Sequence, residues 1–97
     1  MPNIAEQQNR VVGGDKYFNG SADANVATGD GNLIGIFVAS SSAASIKIYD
    51  NTAASGAVLI NTFTAVGGTW YPMPFHFLVG LYIDITGTID FTVCYSQ

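Results

Sequence analysis

The chain has 97 residues, of which 48% are hydrophobic and only 10% charged, and its formal net charge is −4. That length holds one domain. Arg10, Lys16 and Lys47 are its only cations, too few and too scattered to displace phosphate counterions or hold an anionic bilayer, so nucleic acid and membrane surfaces are set aside as partners.

Residues 1–14 differ from the rest of the chain. Asn3, Glu6, Gln7, Gln8, Asn9 and Arg10 leave only Ile4, Val11 and Val12 to bury, and the stretch reads as a short extended arm that orders against a neighbour. Gly13-Gly14 breaks the chain before a folded unit at 15–97. No basic region followed by an apolar one opens the sequence, and no apolar run reaches the roughly 18 residues of a membrane helix. The expectation is synthesis in a cytoplasm, where the protein stays soluble or joins a larger particle.

From residue 16 onward the chain is a series of short strand-like runs. Lys16-Tyr17-Phe18 leads into Asn19-Gly20, whose readiness for positive φ suits a two-residue hairpin turn, with 24–27 as the returning strand. Residues 33–39 are apolar on both alternations, which predicts a central strand covered on both faces, with Gly35 letting a backbone or a large ring come close. Ser40-Ser41-Ser42-Ala43-Ala44 reads as a flexible connection. In 45–50, Ile46 and Ile48 alternate with Lys47 and Tyr49, a half-exposed strand.

A turn-rich loop at 50–56 precedes 58–64, where Leu59 and Phe63 alternate with Ile60 and Thr62. The stretch 70–77 concentrates aromatics around Pro72 and Pro74, and proline's missing N–H places it at a sheet edge or crossing between sheets. Leu81, Ile83 and Ile85, then Thr86-Gly87, then Ile89, Phe91, Val93 and Tyr95 predict a β-hairpin. Together the runs specify an all-β domain, a single antiparallel β-sandwich for which jelly-roll wiring is one arrangement.

Side chains able to do bond chemistry are scarce, and the chain reads as non-enzymatic. His76 is the only histidine and Cys94 the only cysteine, with no metal-ligand spacing around them, so no metal or cofactor is expected and Cys94 reads as a small buried hydrophobe. Ser40-Ser41-Ser42 lacks a nucleophile elbow. Gly29-Asp30-Gly31-Asn32 lacks the ligand alternation of a calcium loop. Asp84 and Asp90, expected to face each other across the hairpin turn, could act as an acid–base pair, but their reading is as exposed charges that discourage edge pairing.

The aromatic set Trp70, Tyr71, Phe75, Phe77 and Tyr82 admits two uses: core plus subunit interface, or stacking on sugar rings. So apolar a chain needs its surplus surface covered by other subunits. The expected interface residues are Ile4, Arg10, Val11 and Val12 in the arm and Trp70, Tyr71, Phe75, His76 and Phe77 in the proline-stiffened segment.

The segments Ser45-Ile46-Lys47-Ile48-Tyr49-Asp50-Asn51, Leu59-Ile60-Asn61-Thr62-Phe63, Trp70-Tyr71-Pro72-Met73-Pro74-Phe75, Gly80-Leu81-Tyr82 and Thr86-Gly87-Thr88-Ile89-Asp90 resemble small all-β virion proteins of tailed bacteriophages, most of all capsid decoration (cement) proteins. The resemblance covers about the last two-thirds of the chain. It implies a homotrimer on the capsid surface that clamps the major capsid protein lattice. The alternative is a carbohydrate- or receptor-binding module of a phage tail or fibre.

Overall fold

The structure, a computed structural model, describes residues 15–97; the arm expected at 1–14, with Ile4, Arg10, Val11 and Val12, lies outside the described residues. Six strands follow in order: β1 (Lys16–Gly20), β2 (Ala24–Thr28), β3 (Gly31–Tyr49), β4 (Val58–Thr64), β5 (Thr69–Phe77) and β6 (Gly80–Ser96). All pairings are antiparallel and belong to one sheet. The fold is all-β, as the alternating runs predict.

β3 and β6 pair along nearly their whole length, from Asn32 with Ser96 to Tyr49 with Tyr82. They form the spine. One end of the spine is flanked by β1 on β6 and β5 on β3, the other by β2 on β6 and β4 on β3. The sheet therefore consists of two four-stranded halves, β1-β6-β3-β5 and β2-β6-β3-β4, sharing two long strands.

The spine is bent until its ends meet. A straight strand of 17 residues would span about 55 Å. Yet Thr28 pairs with Gly80 at the start of β6 and accepts a 2.6 Å hydrogen bond from the side chain of Gln97, just beyond its end. Likewise Gly31, at the start of β3, pairs with Phe77, while Asp50, just past its end, accepts from the N–H of Leu78. The fold-back brings Leu33, Ile36 and Val38 of one half into a single buried cluster with Ile46, Ile48, Leu81 and Ile83 of the other. Each fully buried aliphatic side chain in such a cluster contributes about 1.5–3 kcal/mol over its exposed state.

The bend lies at a corner that all the strand lines cross. On β3 it is marked by Ala43, at φ 49°, and by a register shift between Ser42 and Ser45. On β6 it is marked by Gly87, at φ 90°. On one outer edge, the break between β1 and β2 is bridged by Asp23, whose carboxylate accepts from the Ile85 N–H at 2.6 Å. On the other, the β4–β5 link is tied down by Ala65 N–H to Ala44 C=O at 3.0 Å and by Ser41 Oγ to Ala65 C=O at 2.9 Å.

This corner overturns four sequence expectations. Thr86-Gly87 does not turn the chain back: β6 runs through it, because β3 offers partners on both sides and the two stretches join one ladder instead of pairing with each other. Asp84 and Asp90 are consequently not opposed; Asp84 lies across from Lys47 and Asp90 across from Ser40. The serine-alanine stretch is no flexible connection but the bent middle of β3. Asn19-Gly20 closes no hairpin either, since β1 and β2 each pair with β6.

Other expectations hold, the alternation at 58–64 excepted. Ile46 and Ile48 are fully buried while Lys47 and Tyr49 are half-buried, with the Lys47 ammonium 5.1 Å from the Tyr49 ring centroid. The proline-containing β5 is an edge strand paired only with β3. The 58–64 alternation is broken by two register shifts in the β3–β4 ladder, which let Leu59, Ile60 and Phe63 all pack against the core. Every edge thus carries a block to further pairing: prolines on β5, bulges on β4, and only five residues each in β1 and β2.

Gly87 is required at the corner on two counts, its positive φ and the Ala43 carbonyl against which a Cβ would fall. Gly87→Ala is expected to lower stability by more than about 2 kcal/mol in urea unfolding monitored by circular dichroism. A loss within about 0.5 kcal/mol, the usual range for a neutral surface change, would contradict this account of the corner.

Candidate functional site

Two surfaces stand out once the sheet is curled: the outward face of the β1-β6-β3-β5 half, and the tip where the ends of the spine meet.

Register builds the face. Asn19 of β1, Thr92 of β6, Phe37 of β3 and Trp70 of β5 are successive cross-strand partners and form one row across four strands. Tyr17, Cys94, Gly35 and Pro72 form the adjacent row. Side chains alternate between faces along a strand, so both rows turn away from the core that Ile36, Val38, Phe91 and Val93 face. Tyr17 is 69% exposed, Trp70 44% and Phe37 40%. Cover on both faces of β3, expected from its unbroken apolar run, is therefore not found: Phe37 opens to solvent.

The ring of Trp70 lies over Gly35, as the glycine's place in the strand predicts. A Cβ there would come within 2.6 Å of the ring and 2.5 Å of the Tyr71 carbonyl. Polar rows bracket the aromatic band. On one side Ser40 Oγ donates to the Asp90 carboxylate at 3.2 Å, and Thr92 Oγ1 to Asn19 Oδ1 at 2.6 Å. On the other, His76 Nδ1 lies 3.1 Å from Asn32 Oδ1.

The tip is the two-residue link between β5 and β6. Leu78 and Val79 are 66% and 54% exposed, an unusual pair for a tight link, where polar and glycine residues predominate. Their backbone is held by Asp50, whose carboxylate accepts from the N–H groups of Leu78 at 3.0 Å, Val79 at 2.8 Å and Gly80 at 3.3 Å. The Val79 carbonyl in turn accepts from Gly29 N–H at 2.8 Å. Burial works against the charge on Asp50, but the N–H groups of Val79, Leu78 and Gly80, with a smaller electrostatic contribution from the nearby His76 ring, outweigh it and hold its carboxyl below the ordinary aspartate range.

The residues expected at an interface divide. Trp70, Phe75 and His76 are exposed. Phe77 is fully buried, because its position opposite Gly31 turns it into the core. Tyr71 is half-buried, its ring 5.0 Å from that of Phe63 and its hydroxyl accepting from Val66 N–H at 3.0 Å. Nothing in the sequence pattern singles out Tyr17, Phe37 or Asp50 as surface residues of interest. The apolar pair Leu78-Val79, wedged between Phe77 and Gly80, is the one local signal that could have marked the tip. Cys94 is half-buried on the outer face, not in the core.

Among the described residues no group of three or more His, Cys, Asp or Glu side chains is placed to hold a metal ion, and no helix is long and apolar enough to cross a membrane. No protein-family model, curated protein or solved structure matches the chain.

Asp50→Ala is expected to cost about 2–3 kcal/mol, the scale of hydrogen bonds to a charged group, read by urea unfolding at pH 7. Because the folded carboxyl titrates lower than the unfolded one, its contribution is present above the ordinary aspartate value of about 3.9 and is lost as pH falls through the folded value. Stability should drop on acidification below about pH 4, and less steeply in Asp50→Asn. Identical acid profiles for the two proteins would refute this account of the clamp.

Proposed function

We propose that this chain is a non-enzymatic structural protein of a virus particle, a homo-oligomeric capsid decoration protein that stabilises a major-capsid lattice by contact. The observation that carries the reading is the clamped tip: two apolar side chains held in solvent on a backbone fixed by Asp50. A folded protein gains nothing for its own stability from such exposure. A contact surface gains, because an anchor fixed before binding loses little conformational freedom when it docks.

The blunted edges point the same way. With prolines, bulges or short length on every edge, addition of a partner's strand is disfavoured, and contact through the tip and the faces is what remains. The curled sheet suits the role as a small β-sandwich with jelly-roll-like wiring, its two halves packed inner face to inner face. Sparse charge suits it too, since a lattice repeats one weak apolar contact many times and multivalency supplies the affinity. The resemblance in the last two-thirds of the chain supplies the particle: the head of a tailed phage, with the protein on its outer surface after assembly in the host cytoplasm and trimeric association as the expected form.

The test is sedimentation of the full chain with expanded, DNA-free heads of a tailed phage, alongside its native mass by analytical ultracentrifugation. The double substitution Leu78→Ser with Val79→Ser is expected to lower head occupancy at least about tenfold, anchors of this kind contributing about 1–2 kcal/mol each, with little change in unfolding midpoint. A monomer that ignores the heads, or a variant that binds as well as the parent, sinks the proposal.

A further inference from the structure

We propose that the outward face of the β1-β6-β3-β5 half binds a neutral oligosaccharide. The face and the tip share no residues, so this binding is independent of what the tip docks against. The register sets Asn19, Thr92, Phe37 and Trp70 in one row, amide and hydroxyl at one end and aromatic rings at the other.

Beside that row runs a shallow groove of about 370 Å³ lined by Asn19, Gly20, Ser21, Ala39, Asp90, Phe91 and Thr92. Its polar side chains bring two hydroxyls, an amide and a carboxylate. Thr92 Oγ1 donates to the Asn19 amide oxygen, and Ser40 Oγ to one oxygen of Asp90. Among the described residues, the amide nitrogen of Asn19 is left to donate and the second carboxylate oxygen of Asp90 to accept. A donor and an acceptor lining one groove match the hydroxyls of a sugar, each of which both gives and takes a hydrogen bond.

The aromatic end supplies the other half of sugar recognition. A pyranose presents a patch of C–H groups on its ring face, which packs against the π surface of Trp, Tyr or Phe. Phe37 and Trp70 lie in the row, Tyr17 one row away on β1, and a four-stranded half-sheet is about 15 Å across. The span suits several sugar units laid across the strands.

Charge selects within the class. Among the described residues Asp90 is the only ionic side chain lining the groove, and phosphate, sulfate or uronate groups meet its repulsion. The same chemistry favours a sugar over a protein partner. A protein interface of standard size excludes charged groups from its centre, whereas here the groove with its carboxylate meets the row at its Asn19 and Thr92 end.

Trp70 is the only tryptophan in the chain, so its fluorescence reports on this face alone. The experiment titrates the full chain with neutral hexasaccharides of glucose, galactose, mannose and N-acetylglucosamine, in α and β linkages. At least one should give a saturable change in emission below about 10 mM. Phe37→Ala and Asp90→Asn should each weaken it about tenfold or more at unchanged unfolding midpoint, while Leu78→Ser with Val79→Ser leaves it unaltered. A uronic-acid oligosaccharide of the same linkage should bind more weakly. No saturable change with any hexasaccharide overturns the proposal, as does binding indifferent to Phe37 and Asp90. An emission that shifts on diluting the protein alone overturns it too, by showing the face covered by a second copy.

Discussion

A single carboxylate closes this molecule. Asp50 stands at the end of β3 and gathers the N–H groups of Leu78, Val79 and Gly80, the link by which the chain passes from the edge of one half-sheet to the spine of the other. Without a group to satisfy those donors, three successive amides at the mouth of the fold would compete for water, and the two ends of the curled sheet would have less to hold them together. Gly80 completes the closure, since a side chain there would collide with the carbonyl oxygens of Asn51 and Ala27.

The clamp and the corner are two ends of one constraint. A flat six-stranded sheet of this composition would leave an entire apolar face in water. Bending both long strands at Ala43 and Gly87 sets that face against itself, so the described residues cover their core without a helix or a second domain. The cost is local: a non-glycine residue at positive φ, and backbone groups at the corner that the ladder no longer pairs. Asp23 and Ser41 take over some of those hydrogen bonds. This explains why polar residues of modest size cluster where the strands bend.

Function is then a matter of what the curl leaves outside. The inward faces are consumed by the core and the edges are blunted, so two exposed surfaces remain among the described residues with enough apolar side chain to bind a partner: the tip and the aromatic face. They are chemically different. The tip presents two apolar side chains on a backbone hydrogen-bonded to Asp50, suited to a dry socket. The face mixes aromatic rings with amide, hydroxyl and carboxylate groups, suited to a ligand that is itself part C–H and part O–H. On the proposed reading one holds a particle and the other meets a glycan, and neither task calls for a catalytic group.

Local pattern was enough to show an all-β chain, the half-buried 45–50 strand, the edge position of the proline segment and the close approach over Gly35, because each depends on period-two alternation or on the sterics of one residue. Alternation carries no information about partners. Leu81–Ile85 and Ile89–Tyr95 look alike whether they pair with each other or with one long neighbour, and only the availability of β3 on both sides of Gly87 decided that they continue. The same blindness hid the candidate surfaces. Phe37 and Phe77 are equivalent in sequence, apolar residues in apolar strands, yet the register turns one to solvent and the other into the core. Asp50 looked like part of a turn, and its hold on three amides some thirty residues away exists only once the sheet has curled. Strand content belongs to nearest neighbours along the chain, whereas the curl, the clamp and the exposed aromatic row belong to contacts between distant segments, which only the folded backbone brings together.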